Sequence, residues 1–238
     1  MQNAKLQFEV ARGWSYFTAL LVITFVAFWP SYFAPGIANS SRYVHFHAAT
    51  AAAWMAMLII QPWLIRTYRF DIHRALGRVA FILVPLVLAG MLLLANFRIR
   101  SVPESDFPGQ TYVLYLQISL AAVFVTSFIL AMVYRKNAEL HARFMICTGL
   151  TLIDPVFARL FYWIHPNSFQ LHQWLTFGLT DAILLLIIFA ERRNTSARWA
   201  LPVMLFVFVA AQLPALLWLT NSEMWQAFAR WFQSIPLT

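Results

Sequence analysis

Residues 79–97 read VAFILVPLVLAGMLLLANF, nineteen positions without a charged side chain. The run is entered through His73-Arg74-Ala75-Leu76-Gly77-Arg78 and left through Arg98 and Arg100. A helix of that length rises about 28 Å, close to the thickness of a bilayer's hydrocarbon core. Working outward, comparable apolar runs recur at 14–34, 43–65, 111–134, 144–164, 170–190 and 199–219. Only Asp154, Arg159 and Asp181 bring charge into the seven segments. The pattern predicts an all-α polytopic membrane protein with seven transmembrane helices. The 14–34 run is too long for a signal-peptide core and lacks a small-x-small cleavage site, so it is expected to be a span.

Composition agrees with that reading. Of 238 residues, 61% are hydrophobic and 11% charged, against roughly 25% charged in a soluble domain. The mean hydropathy is +0.67. The chain leaves no soluble domain for a Rossmann cofactor, an ATPase site or a nucleic-acid surface. No nucleic-acid partner is therefore expected, despite a net charge of +8. Cys147 is the single cysteine, which excludes an intramolecular disulfide or a thiolate cluster. The seventh run has no Lys, which excludes a retinal Schiff base there, and no glycine-rich phosphate loop or nucleophile elbow is present.

Basic residues orient the bundle. Twelve of the 17 Lys and Arg, among them Lys5, Arg12, Arg66, Arg78, Lys136 and Arg193, fall on the side of the N-terminus. The positive-inside rule then puts the N-terminus in the cytoplasm and the C-terminus outside. Asp71, Asn137, and Asn167 with Gln170 read as caps of the third, fifth and sixth helices. The chain divides into a seven-helix domain, 1–220, and a tail, 221–238. In the tail Met224, Phe228, Trp231 and Ile235 recur at helical spacing, predicting an amphipathic helix on the outer interface. Its partner is expected to be the lipid bilayer, or another membrane subunit.

Six histidines sit near helix ends in two layers. His45, His47, His165 and His172 are outer, and His73 and His141 are inner. His47, Trp54 and Gln61 repeat every seven residues and share one helix face. His45, two positions earlier, points about 200° away. His172 lies close in depth to His47. Two imidazoles on different helices at one depth suit axial ligation of a haem b, with Arg159 placed to pair with propionates. His73 and His141 make a second, shallower candidate pair. Zinc or copper held by His45, His47, His165 and His172 is the competing reading. An interfacial His is also tolerated simply as an amphipathic ring.

The intramembrane acids open a different class of function. Asp154 and Asp181 lie on adjacent spans, roughly 15–20 Å below the outer surface at 1.5 Å per residue. Such residues are costly in a bilayer and mark proton or substrate paths. A proton-coupled transporter or small-ligand carrier is therefore the alternative to electron transfer, and an accessory subunit of a larger membrane complex is a third. Pro155 is expected to loosen the fifth helix locally.

One resemblance can be drawn from residues 43–164. The motif residues are His47, His73-Arg74-Ala75-Leu76-Gly77-Arg78, His141-Ala142-Arg143-Phe144-Met145-Ile146 and Arg159. They resemble a bacterial family of integral membrane proteins catalogued as a domain of unknown function. In that family the Met-Ile pair follows a Trp and precedes Arg-Ser, where this chain has Phe144 and Cys147-Thr148. The resemblance implies a bacterial inner-membrane location and supplies no reaction. The general plan is also similar to two-haem b-type cytochromes, an analogy of fold alone. In the electron-transfer reading, electrons would pass between a quinone and an outer acceptor.

Overall fold

The computed structural model describes residues 13–166, 169–192 and 197–238. Lys5, Arg12, Arg193 and the expected cap Asn167 lie outside the described residues. Every regular element among the described residues is a helix. A bilayer leaves a backbone little else, because each N–H and C=O must be satisfied within its own segment.

The long helices are α1 (Gly13–Phe28), α2 (Arg42–Arg66), α3 (Phe70–Ser101) and α4 (Phe107–Val133). They are followed by α5 (Ala138–Leu150), α6 (Ile153–Ile164), α7 (Phe169–Ala190), α8 (Ala200–Leu216) and α9 (Glu223–Ser234). Six segments are long and apolar enough to cross a membrane, counting α5 and α6 as one, and α8 is apolar but shorter, with 17 residues. The structure is thus a polytopic helical membrane bundle.

Local chemistry explains most boundaries. A wide π-turn over Trp29–Phe33, with Pro30 near its start, ends α1. Ser41 caps α2 by accepting from the Val44 N–H. Asn137 caps α5 as its sequence predicts, accepting from the Glu139 and Leu140 N–H groups at 3.1 and 3.2 Å. Asp71 does not cap the third helix. That helix begins at Phe70, so Asp71 falls within its first turn and the N-cap position is Arg69, whose side chain makes no capping bond. An acid one turn in still favours the positive end of the helix dipole.

The helices close into a ring in which α1 packs on α2, α2 on α3, α3 on α4, α4 on α8, α8 on α7, α7 on α6 and α6 back on α1. The fifth apolar run is broken at Thr151–Leu152. Its first half, α5, packs on α4 and α8, whereas its second half, α6, packs on α7 and α1. The sequence suggests loosening at Pro155, but the interruption falls earlier. Proline lacks an N–H and is readily accommodated in the first turn of the new helix. The break moves the chain sideways across the ring and sets Asp154 in the first turn of α6.

The cores follow this layout. Phe144, Cys147, Leu184 and Met204 pack α5, α7 and α8 together. Trp54, Val84 and Phe124 join α2, α3 and α4. At the end of the bundle that carries α9, Ala95, Ile99, Phe107 and Leu114 meet Ala229 and Phe232.

Candidate functional site

The face of α2 predicted to point inward does so. Trp54 is 1% exposed and stands edge-on to Phe124 and Phe128. The helix lies against α3 so closely that a Cβ on Gly90 would come to 3.1 Å from the His47 Cα and 2.9 Å from the Thr50 Oγ1. Along this stripe, His47 Nδ1, Trp54 Nε1 and Gln61 Oε1 are all buried without a hydrogen-bond partner among the described residues. His45 faces elsewhere, as the 200° offset requires, and shares a 2.9 Å hydrogen bond with the Tyr32 hydroxyl.

Across the ring, α7 buries His172, Gln173, Thr176, Phe177, Thr180 and Leu184, the faces expected from a spacing of three to four residues. His172 Nε2 is buried with no partner, and its ring meets Tyr162 edge-on at 6.2 Å. Arg159 stands on α6, which packs against α7 and α1. Its guanidinium donates to the Pro155 carbonyl at 2.6 Å and covers the Phe28 ring at 4.1 Å. It is near enough to act electrostatically on both His47 and Asp154.

The two intramembrane acids are held separately. Asp154 is 5% exposed, and its Oδ1 accepts from Gln173 Nε2 at 2.8 Å and from Thr176 Oγ1 at 2.5 Å. Asp181 lies on another face of α7, where its Oδ1 accepts from Gln212 Nε2 of α8 at 3.1 Å. A small cavity lies beside Asp154, with Ser119, Thr180 and Gln212 in a wall otherwise made of apolar residues such as Val123, Phe177 and Phe208. About 10 Å³ is open to the centre of a water molecule, room for a single one.

At the opposite end of the bundle from α9, His141 Nδ1 lies 2.9 Å from the Ala131 carbonyl. A carbonyl only accepts, so Nδ1 donates this hydrogen bond. His73 is its electrostatic neighbour, and His73 Nδ1 is buried and unpartnered. Gln61 Nε2 donates to the His73 carbonyl at 3.3 Å. The structure therefore brings His73, His141 and the inner end of the α2 stripe into one neighbourhood.

Other expected groupings are not assembled. Among the described residues, no three or more His, Cys, Asp or Glu side chains form a group able to hold a metal ion. His45, His47, His165 and His172 are not brought together as such a group. His45 is turned to Tyr32, and His165 is exposed at the end of α6. The helix axis forces His45 and His47 apart, which is the physical reason the set fails to close.

Several polar residues of the site escape a reading that weighs only ionisable groups. Gln173, Thr176 and Gln212 hold the acids, and their signal was a polar face inside apolar runs. Arg143, 2% exposed, is one of the residues counted for orientation, yet it pairs with Glu191 at 2.6 Å and ties α5 to the end of α7. No protein family, curated protein or solved structure matches the chain.

Proposed function

We propose that the protein is a seven-span component of a bacterial inner membrane, with its N-terminus in the cytoplasm, that binds haem b between His47 and His172 and transfers electrons. The observation carrying the reading is the pair of buried ring nitrogens, His47 Nδ1 and His172 Nε2, left without partners on facing sides of the bundle. Buried polar atoms in native proteins are nearly always satisfied, so unpaired ones call for a ligand, ion or water. Two imidazoles suffice for a haem, whereas zinc needs three or four protein ligands. Arg159 supplies a cation for a propionate. His73 and His141 form the corresponding inner pair, with a quinol as the electron donor and an outer acceptor.

The test is an absorption spectrum with elemental analysis on one preparation of purified protein. A Soret band lost in His47→Ala and His172→Ala is the expected result. A colourless preparation without iron overturns the proposal.

A second reading has its own support in the cavity between Asp154 and Gln212, the residue that holds Asp181. In it the protein is a proton-coupled transporter or small-ligand carrier. Uptake abolished by Asp181→Asn but retained without His47 and His172 would replace the first reading with this one.

A further inference from the structure

At the end of the bundle that carries α9, arginines are matched to oxygen atoms of the chain. Arg230 pairs with Glu104, Arg100 donates to the Ile235 and Thr238 carbonyls, and Arg42 donates to the Tyr43 hydroxyl. Arg98 and Arg159 break this pattern. Among the described residues neither forms an ion pair, and Arg98 makes no hydrogen bond. The two guanidiniums are nevertheless near enough to repel one another. Like charges brought together in an apolar bundle are costly unless something negative offsets them.

The chain offsets them only in part. Asp154 is the acid within electrostatic reach of Arg159, and its Oδ1 is held by Gln173 and Thr176. Even with Asp154 ionised, two guanidiniums against one carboxylate leave one positive charge over. His47, also an electrostatic neighbour of Arg159, brings no negative charge. The balance calls for a single negative charge from outside the chain.

Geometry narrows the class of anion. The Arg159 guanidinium covers the Phe28 ring at 4.1 Å, and its Nη1 donates to the Pro155 carbonyl at 2.6 Å. The Nε and Nη2 side of the fork has no partner among the described residues. Such a fork meets a carboxylate with two parallel hydrogen bonds. Arg98 is exposed on the last turn of α3, whereas Arg159 is half-buried in α6, so an entering anion meets Arg98 first.

We infer that Arg98 and Arg159 form a binding site for one monocarboxylate, Arg159 gripping the carboxylate and Arg98 balancing its charge. The inference deepens the carrier reading, on which it rests for a physiological role, by naming the class of ligand. It requires no haem.

The probe is sodium butyrate, exchanged for sodium chloride at constant ionic strength around the full chain in detergent. A ligand that binds only the folded state raises Tm with its concentration. The expected result is a saturable rise in Tm and about one radiolabelled butyrate bound per chain, as for a single-site ligand. Arg159→Gln abolishes both. Arg98→Gln, on an exposed turn, weakens apparent butyrate affinity about tenfold, the effect of losing one contact to a charged group. It provides the readout if Arg159→Gln does not fold. Equal Tm in chloride and butyrate without butyrate binding overturns the inference, and so does binding that the folded variants retain unchanged. A phospholipid held one per chain by the wild type and lost in Arg159→Gln also overturns it, in favour of a lipid phosphate. Butyrate binding by a colourless protein upholds the site while removing the haem reading. Binding without butyrate uptake into vesicles upholds the site while removing the carrier reading.

Discussion

The end of the bundle that carries α9 and the inward face of α2 use polar side chains in opposite ways. At that end, α9 and the residues after it are tied to α3 and α4 almost bond for bond. Asn96, 0% exposed, donates to the Phe232 and Ile235 carbonyls at 2.8 and 3.1 Å and accepts from the Thr238 hydroxyl at 3.0 Å. Gln233 reaches the Ile99 carbonyl, Trp225 the Thr111 carbonyl, and Gln226 both the Thr111 hydroxyl and the Thr220 carbonyl. Only Thr220 Oγ1 among these residues is buried without a partner. On α2, by contrast, His47, Trp54 and Gln61 each bury a polar atom that no partner among the described residues satisfies. A satisfied network stabilises a particular docking, whereas an unsatisfied stripe costs stability in the absence of whatever completes it.

That contrast is open to test, beginning with the largest effect. Asn96→Leu removes two donated hydrogen bonds and the acceptor of the Thr238 hydroxyl, so it should cost about 2–4 kcal/mol, the loss of three bonds of roughly 1 kcal/mol each. Reversible unfolding in detergent, with Trp225 fluorescence reporting α9, would measure it. A change below the error of that measurement would mean that the tail contacts are incidental.

Gly90→Ala comes next. The added methyl meets the His47 backbone and the Thr50 hydroxyl, which forces α2 from α3 and should cost about 1–3 kcal/mol by overpacking. Any haem spectrum should weaken in parallel, because the His47 backbone itself is displaced. Wild-type stability together with a wild-type spectrum would show that the α2–α3 contact is slack.

His47→Leu should behave in the opposite sense to Asn96→Leu. Replacing an unpaired buried imidazole by an apolar group should change the stability of ligand-free protein by less than about 1 kcal/mol, and toward greater stability. The same variant should lose the Soret band. Strong destabilisation without a ligand present would place His47 with the structural residues. The smallest effect belongs to Arg230→Gln. Its ion pair with Glu104 is solvent-exposed, and such pairs contribute little, so Tm should stay within measurement scatter.

The amphipathic tail illustrates how far pattern alone reaches. Its helix is legible in the spacing of Met224, Phe228, Trp231 and Ile235. The structure divides that stripe: Phe228 packs beside Ala229 and Phe232 against α3 and α4, while Met224 and Trp231 remain 83% and 58% exposed. An apolar face is recognisable from periodicity, but its partner, protein or lipid, is not. The same limit applies to Asp154 and Asp181, which share a depth in the sequence reading and yet are held by different glutamines. Gln173 and Gln212 look alike in sequence, and only the rotation of α7 between α6 and α8 assigns each to its acid.

By itself, the sequence determined the membrane class, the apolar segments, the Asn137 cap and the inward stripe of His47, Trp54 and Gln61. Each depends on one helix, whose 3.6-residue turn sets which side chains share a face. The tertiary structure decided the sideways step of the fifth span, the separation of the two acids, the Arg143–Glu191 pair and the locking of the tail. In lipid, helices are not sorted by hydrophobicity, because lipid tails are as apolar as leucine. Close packing and a few interhelical hydrogen bonds choose the neighbours, and those depend on registers between segments far apart in the chain.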